Sequence, residues 1–154
     1  MPNSRPLPIV GFFLRPCLSA LCTVKYRSRM VKILIVDDAP DAGESIGKLL
    51  EAARHEVTVV PNGREALMSV LTATPDVILL DLLMPEMDGP TFLEVIRSYL
   101  RLQSLPVVVL TALADSPMID RVQHLKVNSV LVKGRASPED IQRALEEAAV
   151  RAPG

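Results

Sequence analysis

Between Val31 and Ala149 the hydrophobic pattern switches five times between two periods, and few folds accept that rhythm. Short apolar runs at 31–36, 56–60, 77–80, 107–110 and 127–132 are bounded by turn residues and read as strands. Apolar residues at consecutive positions, rather than alternate ones, are expected where both faces of a strand are covered, as in the middle of a parallel sheet. After each run, apolar residues recur at helical spacing. They are Ala42, Ile46, Leu49, Leu50 and Ala53 in the first segment, and Ala66, Leu67, Val70 and Leu71, all expected to be buried, in the second. Phe92, Val95, Ile96, Tyr99 and Leu100 follow, with the last two read as core. Ile119, Val122 and Leu125 mark a fourth helix, and Ile141, Ala144, Leu145 and Ala148 a fifth. Helix starts are signalled by Pro40-Asp41, Asn62 with Glu65, Gly89-Pro90, Ser116-Pro117, and Ser137-Pro138 with Asp140. Five strand–helix units in strict alternation predict an α/β fold: a doubly wound, five-stranded parallel sheet with right-handed crossovers and helices on both faces.

Within this frame, residues 76–89, DVILLDLLMPEMDG, focus the chemistry. The buried run ends abruptly on Asp81, at the edge where open α/β sheets gather their ligand-binding groups. Other strands end comparably: the first on Asp37 and Asp38, the fourth on Thr111, the fifth on Lys133. Singly, each has an ordinary explanation, because an Asp after a strand is commonly a turn or cap and a terminal Lys is commonly solvated. Together, on one edge, three carboxylates would repel one another unless a cation were present. An oxygen-rich acid cluster suits Mg²⁺, and Lys133 can neutralise a further anion while the Thr111 hydroxyl donates to it. The set reads as a metal-assisted phosphoryl site with Asp81 as a nucleophilic carboxylate.

Charge and length narrow the alternatives. The 154 residues fit one domain, expected over 30–154, with no second domain after the fifth helix and in particular no DNA-binding domain. Residues 1–29 carry Arg5, Arg15, Lys25, Arg27 and Arg29 and no acid, so the net charge of -1 hides an acidic body. Such a body argues against non-specific nucleic-acid binding. No apolar run reaches the length of a membrane-spanning helix, so a soluble, cytoplasmic protein without membrane attachment is expected. Both cysteines, Cys17 and Cys22, lie in the basic leader, leaving no Cys-based disulfide or metal site in the body. The leader is proline-rich and aperiodic and is expected to have little fixed structure. Arg15-Pro16 breaks its apolar run, unlike a signal peptide, and Met30 opens directly on the first strand as the expected true or alternative initiator.

The pieces ILIVDD, VILLDLLMPEMDG, VVVLTA and VLVK, in that order and spacing, resemble the receiver domain of two-component response regulators over about Val31 to Ala149. The resemblance implies a flavodoxin-like sheet of order 2-1-3-4-5 and a stand-alone receiver. It implies that Asp81 accepts a phosphoryl group from a phosphohistidine on a sensor histidine kinase or histidine phosphotransfer protein. Asp37 and Asp38 would hold Mg²⁺, with Asp38 and Asp81 as direct ligands and Leu83 contributing its backbone carbonyl. Thr111 would bond a phosphoryl oxygen, Lys133 would pair with the anion, and small Ala112 would leave room. The domain would then act on an unknown downstream protein, catalysing nothing but its own phosphorylation and dephosphorylation.

Three positions depart from the family pattern. Val130 stands where an aromatic residue is usual, so coupling of the threonine to an inward-turning ring cannot operate in that form. Gly134, not proline, follows Lys133, so no cis peptide is expected there. Lys126-Val127 replaces a small Gly-Ala pair. Leu83 and Leu113 would border the path of an attacking water, which predicts a comparatively long-lived phosphoryl-aspartate. The alternative reading is a receiver-like docking module without productive phosphorylation. A phosphatase of the haloacid dehalogenase type is disfavoured, since such enzymes usually carry a DxD pattern after the first strand.

Overall fold

The computed structural model describes residues 29–112 and 114–151. The expectations for the basic leader with Cys17 and Cys22, and for Leu113, fall outside those residues. In chain order the elements are β1 (Lys32–Val36), α1 (Pro40–Ala52), β2 (Glu56–Val60), α2 (Gly63–Thr72) and β3 (Val77–Leu80). There follow α3 (Gly89–Ser98), β4 (Val107–Thr111), α4 (Pro117–Gln123), β5 (Ser129–Val132) and α5 (Pro138–Val150). The five strands form one sheet in the order β2-β1-β3-β4-β5, and every pairing is parallel.

The continuous apolar runs have a direct cause, because successive side chains of a strand point to opposite faces and here both faces are covered. Leu34, Val36, Ile78, Leu80, Val107 and Val109 pack on one side with Ala66 and Val70 of α2, Phe92 and Ile96 of α3, and Val122 of α4. Ile33, Ile35, Val77, Leu79, Val108 and Leu110 pack on the other with Leu50 of α1 and Ile141, Leu145 and Ala148 of α5. Full burial of an aliphatic or aromatic side chain contributes about 1.5–3 kcal/mol, so these two layers carry most of the stability.

The start signals work as local chemistry requires. Asn62 accepts from the Glu65 N–H at 2.9 Å, and Ser116 from the Met118 N–H at 3.2 Å. Ser137 and Asp140 make a reciprocal capping box. Asp88 also proves to be a cap, accepting from the Thr91 N–H at 2.8 Å. At the other end of the sheet, Arg97 holds three carbonyls, those of Leu102, Leu125 and Lys126, at 2.9, 2.9 and 3.1 Å. The last of these belongs to a residue in the left-handed region, Lys126 with φ 55.

Some expectations need correction. Tyr99 and Leu100 are not core: α3 ends at Ser98, and Leu100 is 86% exposed. Leu71 on α2 is likewise exposed, as is Leu49 on α1. Leu125 packs against the core from beyond the end of α4 rather than within it. β3 coincides with the apolar run at 77–80, with Asp76 and Asp81 just outside it, whereas β5 is shorter than the run at 127–132 and leaves Val127 and Asn128 before it.

Candidate functional site

The carboxyl edge of the sheet brings together the residues that the sequence placed at strand ends. Backbone bonds fix them there: the Asp37 N–H donates to the Val60 carbonyl at 3.1 Å and the Asp81 N–H to the Val36 carbonyl at 2.9 Å. The Lys133 N–H donates to the Thr111 carbonyl at 2.8 Å, tying the ends of β4 and β5. Asp37, Asp81 and Thr111 are buried and Asp38 is exposed, so the cluster opens to solvent on one side.

Lys133 lies between the two buried acids, its ammonium donating to Asp37 Oδ2 and to Asp81 Oδ2, each at 2.7 Å. The remaining oxygens are held by backbone: Asp37 Oδ1 accepts from the Ala39 N–H at 2.9 Å and Asp81 Oδ1 from the Leu83 N–H at 3.2 Å. Burial pulls the Lys133 ammonium down, but its hydrogen bonds to Asp37 and Asp81 and the charges of both outweigh that, so its pKa lies above the ordinary lysine value. Lys133 is therefore a cation held between the two buried acids.

One oxygen from each of Asp37, Asp38 and Asp81 lies within 4.8 Å of the others. An all-carboxylate donor set with a solvent-facing side fits a hard cation that keeps some of its water, which is the preference of Mg²⁺. Leu83 is exposed beside this cluster.

Two features of the site were not read from the sequence. Gly89, taken only as a helix start, is a site of close approach: a Cβ there would stand 2.7 Å from the Asp81 carbonyl oxygen and 2.8 Å from the Leu82 Cα. Its N–H donates to the Leu82 carbonyl at 3.1 Å, so α3 begins pressed against the backbone that carries Asp81. The second is Gly134. With φ +80 it takes a conformation that only glycine adopts cheaply, and it turns the chain immediately after Lys133. No peptide bond among the described residues is cis. Val130 is half-buried and packs against the α2–α3–α4 layer.

A doubly wound parallel sheet of this order, with an acid triad and a lysine on its carboxyl edge, defines a flavodoxin-like signalling fold. The chain belongs to the response regulator receiver domain family of two-component systems, whose sequence pattern matches residues 33–146. It is 31% identical over 119 residues to the gliding motility regulatory protein of Myxococcus xanthus, covering 77% of this chain and 15% of that protein. It is 37% identical over 98 residues to the transcriptional regulatory protein BaeR of Escherichia coli, covering 64% and 39% respectively. The chain thus spans well under half the length of these curated relatives. Among solved structures, the chemotaxis protein CheY4 of Vibrio cholerae superposes with a TM-score of 0.71 at 29% identity, over 78% of this chain and 99% of that one. The phosphorylated cyanobacterial phytochrome response regulator RcpA gives 0.69 at 29% identity, over 82% and 98%.

Proposed function

We propose that this receiver takes a phosphoryl group onto Asp81 from a phosphohistidine of a sensor histidine kinase or histidine phosphotransfer protein. The observation that carries the reading is the Asp37–Lys133–Asp81 bridge inside an acid cluster able to hold a divalent cation. An Asp81 carboxylate oxygen attacks phosphorus in line with the P–N bond, the new P–O bond forms as P–N breaks, and the electron pair returns to the imidazole nitrogen, which takes up a proton. The phosphohistidine supplies the driving force, and the protein supplies position and charge.

Asp81 is held by the Leu83 N–H, so its attacking group does not need to be ordered at the moment of reaction. Lys133, already beside Asp81, moves its hydrogen bonds from the carboxylates to the incoming phosphoryl oxygens. Thr111, buried at the end of β4, is the proposed hydroxyl donor to one of those oxygens. Asp37 and Asp38, with Asp81 and the Leu83 backbone carbonyl, are the proposed Mg²⁺ ligands. When bound, Mg²⁺ supplies positive charge that offsets the charge of the transferring group. Phosphorylation of the related RcpA supports this reading, and a cytoplasmic placement beside the donor kinase goes with it.

The domain is proposed to turn over no external substrate and to signal through contacts with a downstream protein. Incubation with acetyl phosphate and Mg²⁺, followed by intact mass, is expected to add one phosphoryl group. The label should disappear on Mg²⁺ chelation and in Asp81→Asn. Unchanged labelling of Asp81→Asn would overturn the assignment, and no labelling of the parent chain would favour the docking module without phosphorylation.

A further inference from the structure

Past the end of α3 the chain turns outward through Tyr99, Leu100 and Arg101 before it re-enters the core at Leu102. Leu100 is 86% exposed, and Leu71 at the end of α2 and Tyr99 are exposed beside it. Single exposed apolar residues are ordinary, but these three line one groove of about 540 Å³ together with the buried Val70 and Leu102. Its volume is that of a pocket for several side chains.

The groove is built rather than collapsed. The Leu102 N–H donates to the Tyr99 carbonyl at 2.9 Å, and the Leu102 carbonyl accepts from Arg97 at 2.9 Å and from the Leu105 N–H at 3.1 Å. Across from it, the Thr74 hydroxyl returns to the Val70 carbonyl at 3.2 Å. Walls fixed in this way lose little conformational freedom when an occupant arrives.

Its charge is one-sided. Among the described residues, Arg101 is the only charged one in the lining. Arg97 and Lys126 stand outside the lining on the same edge of the sheet: the half-buried Arg97 guanidinium sits on the carbonyls of Leu102, Leu125 and Lys126, and Lys126 is exposed. None of the three has a carboxylate partner among the described residues. The groove lies at the amino-terminal ends of the strands, where α2 and α3 finish, whereas Asp81 follows the carboxyl end of β3. An occupant therefore leaves the acid cluster uncovered.

We infer that this groove docks an apolar, acidic segment of another protein. A large aliphatic or aromatic side chain enters between Leu71 and Leu100, and a neighbouring carboxylate meets Arg101. This contact lies at the opposite edge of the sheet from Asp81.

The test titrates the ¹⁵N-labelled full chain with a capped peptide of leucine and phenylalanine at helical spacing flanked by glutamates, and with its lysine-for-glutamate counterpart. Saturable shifts are expected within residues 70–74 and 98–102, with the acidic peptide binding about threefold or more tighter than the basic one. Arg101→Glu should reverse that preference, and Leu100→Glu should abolish binding, while thermal melts show both variants folded. Absence of saturable shifts there, or equal affinity for both peptides, overturns the inference. It is also overturned if sedimentation shows a concentration-dependent dimer that Leu100→Glu disperses, because the occupant is then a second copy of the chain.

Discussion

Gly89→Ala sets two physical rules against each other. Gly89 is the first residue of α3, and its φ is not in the left-handed region. Helix propensity alone would make alanine the better residue by up to about 0.5–1 kcal/mol. The added Cβ, however, would stand 2.7 Å from the Asp81 carbonyl oxygen and 2.8 Å from the Leu82 Cα, about 0.7 Å inside the 3.4 Å at which ordinary contact begins. Both are backbone atoms, so no side chain can rotate away, and overpacking of this kind costs about 1–3 kcal/mol. We expect a net loss of about 1–2 kcal/mol, read as a fall in Tm of about 3–10 °C. Because the backbone displaced carries the proposed phosphoacceptor, Mg²⁺-dependent labelling from acetyl phosphate should slow by about tenfold or more, as misplacements near 1 Å do. Gly47→Ala is the control: its Cβ would meet only side-chain atoms, at 3.5 Å and beyond, so it should raise Tm without changing the labelling rate. A Gly89→Ala protein that melts at or above the parent and labels at the same rate would refute the argument.

Other expectations follow from the same contacts. Lys133→Ala leaves Asp37 and Asp81 facing each other without their shared cation, and should lower stability by about 1–3 kcal/mol in Mg²⁺-free buffer, with part of the loss recovered when Mg²⁺ is added. Equal denaturation midpoints for variant and parent in chelator would contradict this. Leu83→Asn should shorten the lifetime of the phosphoryl group, because an exposed polar side chain beside Asp81 can orient water; label loss no faster than in the parent sinks the idea. Arg97→Ala strands three carbonyls and releases the left-handed Lys126, costing about 1–3 kcal/mol, whereas Lys126→Gly should stabilise by about 0.5–1 kcal/mol in urea titrations. The backbone and side-chain hydrogen bonds to Ser137, with Arg143 adding to them against burial, hold the Asp140 carboxyl below the usual carboxylate range. That contribution is present above the unfolded carboxylate pKa and is lost as pH falls through the folded one, so the gap in Tm between parent and Asp140→Asn should narrow in acid; a constant gap would exclude the linkage.

What could be read from the sequence was local, or followed from topology. Buried strands announce themselves because both faces need apolar side chains, and Ser137 with Asp140 announces a helix because its hydrogen bonds lie three residues apart. The strand-end residues Asp37, Asp81, Thr111 and Lys133 could be grouped because parallel strands put all their carboxyl ends on one edge. Contacts across the fold were hidden. Nothing in the spacing says that Lys133 would bridge Asp37 to Asp81, or that Gly89 would press on the Asp81 carbonyl, since each depends on how far a neighbouring element leans in.

Tyr99 and Leu100 show the limit most clearly. Their spacing from Phe92 and Ile96 continues a helical stripe, and periodicity carries no information about where the covering surface ends. β3 has 4 residues and spans about 13 Å, while the 10 residues of α3 already span about 15 Å. A stripe prolonged past Ser98 therefore runs off the sheet, and its next apolar side chains have nothing beneath them. Leu71, one position on from the buried Val70, lies on a face of α2 that the core does not cover. The ends of α2 and α3 lie side by side at one sheet edge, and the apolar residues left uncovered there, Leu71, Tyr99 and Leu100, make the groove beside Arg101.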